Sequence, residues 1–65
     1  MKIVVNGKAT EVRTATLPAV LEELGYGDAK VATAVNEAFV PVVARDGVTL
    51  RPGDRLEVVT PRQGG

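Results

Sequence analysis

The chain has 65 residues, balances 8 Lys and Arg against 8 Asp and Glu, and contains no Cys, His or Ser. That inventory excludes covalent catalysis by Ser or Cys, disulfides, thiolate metal or iron–sulfur sites, and the commonest general base. A chain this short forms one domain that buries roughly 60% of its unfolded surface and cannot also enclose a deep active-site pocket, while hydrophobic and charged fractions of 45% and 25% are those of an ordinary folded domain.

Ile3 and Val5 alternate with Lys2 and Val4, Asn6-Gly7 supplies two residues that tolerate positive φ, and Lys8 to Val12 reads as the return strand, so the chain opens with a β-hairpin. Thr16 is the expected N-cap, its hydroxyl accepting a first-turn amide, and Pro18 suits the first turn. Leu17, Val20, Leu21 and Leu24 recur at i, i+3, i+4 and i+7, the pattern of an amphipathic helix of about two turns. Gly25 provides the left-handed residue that stops it. Glu22 and Glu23 are adjacent, do not face each other on a helix, and read as a solvated face, not a pair of catalytic carboxylates. Val31 to Val35 is expected to be a central strand, Asn36-Glu37 a turn, and Phe39 to Val43 an extended edge interrupted by Pro41. Asp46-Gly47 marks another turn, Leu50 an inward anchor, and Pro52-Gly53 a type II turn, with Asp54 lending its carboxylate to local amides. Arg55 to Val59 is the last strand, Leu56 and Val58 pointing inward. The elements add up to an α+β domain over residues 1–59, a mixed sheet of about four to five strands with one main helix on one face, followed by a flexible tail over residues 60–65.

A formal charge of zero and an aromatic content of 3% leave neither a basic field for phosphates nor platforms for bases, which argues against a nucleic-acid partner. The longest nearly apolar run, Phe39 to Ala44, falls far short of the roughly 20 residues that span a bilayer. Met1-Lys2-Ile3 does not open a signal peptide, and a cytoplasmic location without membrane contact is expected.

The tail Thr60-Pro61-Arg62-Gln63-Gly64-Gly65 has no apolar anchor and is expected to be exposed. Six extended residues span about 20 Å, enough to enter a partner's active site while the body docks outside. Lacking side chains, Gly64 and Gly65 suit a narrow channel, and the group presented at its end would be the α-carboxylate of Gly65. Two terminal glycines arise by chance in roughly 0.5% of chains, so on the dipeptide alone an incidental tail is the simpler reading; its place directly after a terminal strand, on a body with no catalytic residue of its own, is what makes it informative.

Asn6-Gly7, the Thr16-Leu17 helix start, the run Val31-Ala32-Thr33-Ala34-Val35-Asn36-Glu37, the run Leu50-Arg51-Pro52-Gly53-Asp54-Arg55-Leu56-Glu57-Val58-Val59 and the terminal Gln63-Gly64-Gly65 together resemble the sulfur-carrier proteins of thiamine biosynthesis, ubiquitin-like β-grasp domains. Members often carry an Arg and a Trp shortly after the segment matching Phe39-Val40-Pro41, whereas here Val42-Val43-Ala44 follows. The resemblance implies a β-grasp fold and a carrier, not an enzyme, with no bound cofactor. An E1-like adenylyltransferase would consume ATP to adenylate Gly65. A sulfur donor, such as a cysteine desulfurase, would supply sulfur for a thiocarboxylate, and thiazole synthase would receive it. Gly64 would then serve the thread, with Gln63 and Arg62 hydrogen-bonding or pairing with partner groups.

Docking also needs a surface. Val4 and Val59, with Phe39 and Pro61 nearby, are candidates for an apolar patch on the uncovered sheet face; Val4 and Val59 stay open between core and patch, while the only Phe of the chain is expected in the core. Two alternatives share parts of the implied chemistry, the small subunit of molybdopterin synthase and a ubiquitin-like modifier joined to Lys amines; a third is a pure interaction module, such as a regulatory β-grasp domain, in which the glycines are incidental.

Overall fold

The computed structural model describes residues 1–27 and 29–60. Asn6 and Gly7 sit at φ 51° and 83°, the pair of left-handed values that a type I′ turn demands, and join β1 (Lys2–Val5) to β2 (Lys8–Glu11) in an antiparallel pair. Helix α1 (Leu17–Glu23) follows. Thr16 is its N-cap, but the expected side-chain cap does not form. Thr16 instead bridges Thr49, with Leu17 N–H donating to the Val48 carbonyl at 2.9 Å and Leu50 N–H to that of Ala15 at 2.8 Å. A cap hydroxyl accepts from the second or third helical amide, and the second position is Pro18, which has none. The helix ends as anticipated. Gly25, at φ 94°, donates to Glu22 and Tyr26 donates to Leu21 at 3.0 and 2.8 Å, the two bonds of a Schellman close.

Glu23 is not the idle surface carboxylate its sequence position suggested. It accepts hydrogen bonds from Arg13 N–H at 2.8 Å, Thr14 N–H at 3.1 Å and the Thr14 hydroxyl at 2.7 Å, tying the β2–α1 connector to the helix. The Thr14 hydroxyl, and then the Arg13 amide, hold its titration below the ordinary Glu range. Asp54 is lowered likewise, first by the Arg51 amide and then by the Asn36 side chain. A carboxylate depressed by folding stabilises in full above its unfolded-state value and loses that contribution as pH falls through its folded-state value. The melting temperature is therefore expected to hold level from about pH 7 to 5 and to decline below about pH 4.5. Glu23→Gln should make the decline shallower; equal acid slopes for the two proteins in a series of thermal melts would refute this role.

β3 (Ala32–Val35) and β4 (Ala38–Val40) form the second hairpin, whose turn repeats the first: Asn36 and Glu37 have φ 49° and 73°. Glu37 thus occupies the conformation that Gly7 fills without strain. A left-handed L-residue costs about 1–2 kcal/mol; the extra unfolded-state freedom of Gly returns up to about 1 kcal/mol of that. The exposed Arg55–Glu37 pair at 3.7 Å adds little. Glu37→Gly is expected to stabilise by about 0.5 kcal/mol, read as a higher midpoint in chemical denaturation.

Chain geometry departs from expectation after Pro41. Val42–Gly47 is a 3₁₀ helix, not an extended edge: β3 starts at Ala32, opposite position 41, so no strand remains for Val42 and Val43 to pair with. The 3₁₀ helix sends Arg45 back onto β3, where Nη2 donates to the Val31 carbonyl at 2.6 Å and Nε to the buried Thr33 hydroxyl at 3.2 Å. That hydroxyl in turn donates to the Val40 carbonyl at 2.9 Å, so the one buried polar side chain among the described residues both donates and accepts a hydrogen bond.

β5 (Arg55–Val59) is last in sequence and central in space, the sheet order being β2-β1-β5-β3-β4. It runs parallel to β1 and antiparallel to β3. Leu56 and Val58 point inward as expected, and Ile3, Val12, Leu17, Val20, Leu21, Val31, Val40 and Leu50 complete the core between sheet and helix.

Candidate functional site

The middle strand is the one that leads to the C-terminus. β5 is held on one side by β3 as far as the Ala32–Val59 pair, so the chain leaves the sheet from its interior, not from a loose edge. Pro61, Arg62, Gln63, Gly64 and Gly65 lie outside the described residues.

Strand alternation and register define the face away from the helix. Val59 stands opposite Ala32, and Phe39 stands opposite Ala34, itself level with Glu57. Ala32 and Ala34 have too little bulk to shield their neighbours, and Phe39 and Val59 are left 68% and 62% exposed. The expectation that Phe39 belongs to the core is therefore corrected: composition gave it an inward place, but Val40 takes the buried position and pleating turns Phe39 out. That signal was present in the triplet Ala38-Phe39-Val40, one residue of which had to face solvent.

Val4 does not join this strip. It is half-buried and level with Arg55 on one side and Ala9 on the other, four residues along β5 from Val59, a separation of roughly 13 Å. The structure brings Val59 and Phe39 onto one part of the outer face and leaves Val4 at the other end of it. Val42 and Val43, 68% and 92% exposed on the 3₁₀ helix, add further apolar surface.

On the opposite side, an open groove of about 500 Å³ runs between α1 and the 3₁₀ helix, lined in part by Leu21, Glu22, Tyr26 and Arg45. Arg45 is already committed to β3, and among the described residues no three acidic side chains converge to hold a metal. No helix among them is long and apolar enough to cross a membrane. The described residues thus present an exposed apolar strip beside a central strand end, and no assembled set of reacting groups among them.

A model of the ThiS family matches residues 3–65, the two terminal glycines included. The chain belongs to the ThiS family. A solved structure described as a thiamine biosynthesis protein (ThiS) from Geobacter metallireducens is similar over the whole of both chains, with 29% identity and a TM-score of 0.82. No curated protein matches the chain. The five-stranded mixed sheet over one helix is accordingly the β-grasp that the resemblance implied, in its ThiS-family form.

Proposed function

We propose that this ThiS-family chain is a cytoplasmic sulfur carrier for thiazole formation in thiamine biosynthesis, its one reacting group being the α-carboxylate of Gly65. The observation that carries the reading is the family match running through Gly64 and Gly65, on a body whose central strand leads to that terminus.

A carboxylate is a poor acyl donor, because its charge is delocalised and oxide is not a viable leaving group. Attack of a Gly65 carboxylate oxygen on the α-phosphorus of ATP, with loss of pyrophosphate, makes the acyl-adenylate. Sulfide displaces AMP and leaves a thiocarboxylate directly, whereas a donor's persulfide displaces AMP to form an acyl disulfide, which a thiol then cleaves to the thiocarboxylate and a mixed disulfide. The thiocarboxylate sulfur is softer and more nucleophilic than the oxygen it replaced. An E1-like adenylyltransferase performs the activation, a donor such as a cysteine desulfurase provides sulfur, and thiazole synthase consumes it. The chain contributes reach and docking. Phe39 and Val59 provide the apolar strip on which partners seat, Gly64 lets the backbone pass a narrow channel, and Gln63 and Arg62 meet polar groups along it.

The test is chemical. The protein is incubated with ATP, sulfide and a candidate activating enzyme, treated with a thiol-alkylating reagent, and its C-terminal peptide is sequenced by mass spectrometry. Exchange of oxygen for sulfur has the same nominal mass as oxidation of Met1, so the alkyl tag, not the intact mass, is the readout. With no Cys in the chain, a tag on Gly65 reports a thiocarboxylate. Thiazole synthase offered the loaded carrier should consume it; consumption only by a pterin-converting enzyme would assign the molybdopterin role, and transfer of the Gly65 acyl group from the adenylate to Lys amines, with release of AMP, a modifier role.

A further inference from the structure

The parallel ladder between β1 and β5 ends early. Val4 N–H donates to Asp54 and Asn6 N–H to Leu56, both at 2.9 Å, and then the Asn6-Gly7 turn carries the chain away into β2. A continuing strand would next accept from Val58 N–H and donate to the Val58 carbonyl. The side chain of Asn6 does both. Its Oδ1 accepts from Val58 N–H at 2.8 Å and its Nδ2 donates to the Val58 carbonyl at 3.2 Å, across 52 positions of sequence. One carboxamide stands in for a peptide group and extends the ladder by a rung, at the last inward residue before the chain leaves the sheet.

A second carboxamide does comparable work at the other end of the same strand. Asn36, also first in a type I′ turn, accepts from Arg55 N–H at 2.9 Å through Oδ1 and donates to the Asp54 carboxylate at 3.1 Å through Nδ2. Asn36 secures where β5 begins, and Asn6 secures where it ends. If both served stability alone, they would be equivalent; their positions relative to the C-terminus make them different.

We propose that Asn6 is a positioning residue for sulfur loading: by clamping both backbone groups of Val58 it fixes the place and direction in which the chain leaves the sheet toward Gly64 and Gly65. This rests on the carrier reading above. Val59 and Thr60 are the last described residues before the reacting terminus, and Val59 lies on the docking strip. With Val58 held on both sides, the strip and the start of the terminal segment keep one relative geometry, so an activating enzyme that seats the strip meets the terminus without first ordering the strand end. Preorganisation of this kind lowers the ordering cost of binding and shows in KM.

The left-handed φ at both positions permits a clean comparison. Asn6→Gly and Asn36→Gly keep the turns, since Gly accepts that conformation, and each removes only a carboxamide. Wild type and both variants are compared at a temperature where circular dichroism shows all three folded. In Asn6→Gly the Val58 amide should exchange with solvent at least about tenfold faster, and the KM for the carrier in ATP-dependent thiocarboxylate formation should rise about tenfold with kcat within about twofold. Asn36→Gly should leave KM unchanged. Equal KM changes in the two variants, or unchanged Val58 exchange in Asn6→Gly, would overturn the proposal. A wild-type chain that no activating enzyme loads would overturn the carrier reading and the role in loading with it, while the exchange comparison would still decide whether the clamp holds the strand end.

Discussion

Removing Gly64 and Gly65 should abolish sulfur loading while the protein melts at an unchanged temperature. The truncated chain still ends in a carboxylate, at Gln63, so the deletion does not remove the type of reacting group. It withdraws that group by two residues, about 7 Å of extended chain. A misplacement of about 1 Å can cost on the order of 10²-fold in rate, and a shortfall several times larger leaves the carboxylate outside reach of the α-phosphorus; a loss of at least about 10³-fold in thiocarboxylate formation is expected. Stability should stay within about 0.5 kcal/mol, because the core residues among those described all lie at or before Val58 and the two glycines removed carry no side chain to bury. Alkylation of the terminus and a thermal melt, run on the same preparation, separate the two effects. Loading that survives the deletion would rule out Gly65 as the reacting residue and favour an interaction module with incidental glycines.

What the sequence disclosed and what it concealed divide along a physical line. Turns and helix ends were legible because their cause is local: a left-handed residue is required within a few positions of the bond it enables, so Asn6-Gly7, Asn36-Glu37, Gly25 and Pro52-Gly53 each announced a reversal, and Gly53 indeed sits at φ 88°. Leu56 and Val58 were legible through period-two alternation. Contacts that depend on register were not. Phe39 was placed inward by its size and scarcity, yet its side is decided by which neighbour pairs with Thr33, and that neighbour is Val40. Glu23, Asn6 and Asn36 looked like a surface residue and two turn residues; their hydrogen-bond partners are 10, 52 and 19 positions away, and no local pattern announces them. Nor does any local pattern announce the bridge from Thr16 to Thr49, which ties the helix start to a distant segment. The proposed site was legible only through the resemblance and the position of the glycines, because a terminus acting through its own carboxylate would leave no side-chain pattern to find.

The contrast between Leu56 and Phe39 turns that line into a measurement. Leu56 is fully buried, lies on the central strand, and is flanked by Val5 on β1 and Val35 on β3, so neither sheet half can collapse into the space its side chain would vacate. Leu to Ala at such sites costs about 2–5 kcal/mol, and a core of this size supplies only about 3–5 kcal/mol in total. Leu56→Ala is therefore expected to abolish the cooperative melt near physiological temperature, with loss of sulfur loading as a secondary consequence that cooling partly restores. Phe39 is the larger side chain, and a scale based on size alone would rank its loss as worse. With 68% of it exposed, Phe39→Ser should cost about 1 kcal/mol or less and keep a cooperative melt, while weakening capture by the activating enzyme in a direct binding assay. If Phe39→Ser instead unfolded the domain, the side chain would be a core element and the docking strip would lose its largest member; if it melted normally and bound normally, partners must seat elsewhere on the outer face, leaving Val59 and the 3₁₀ valines as the apolar surface to test next.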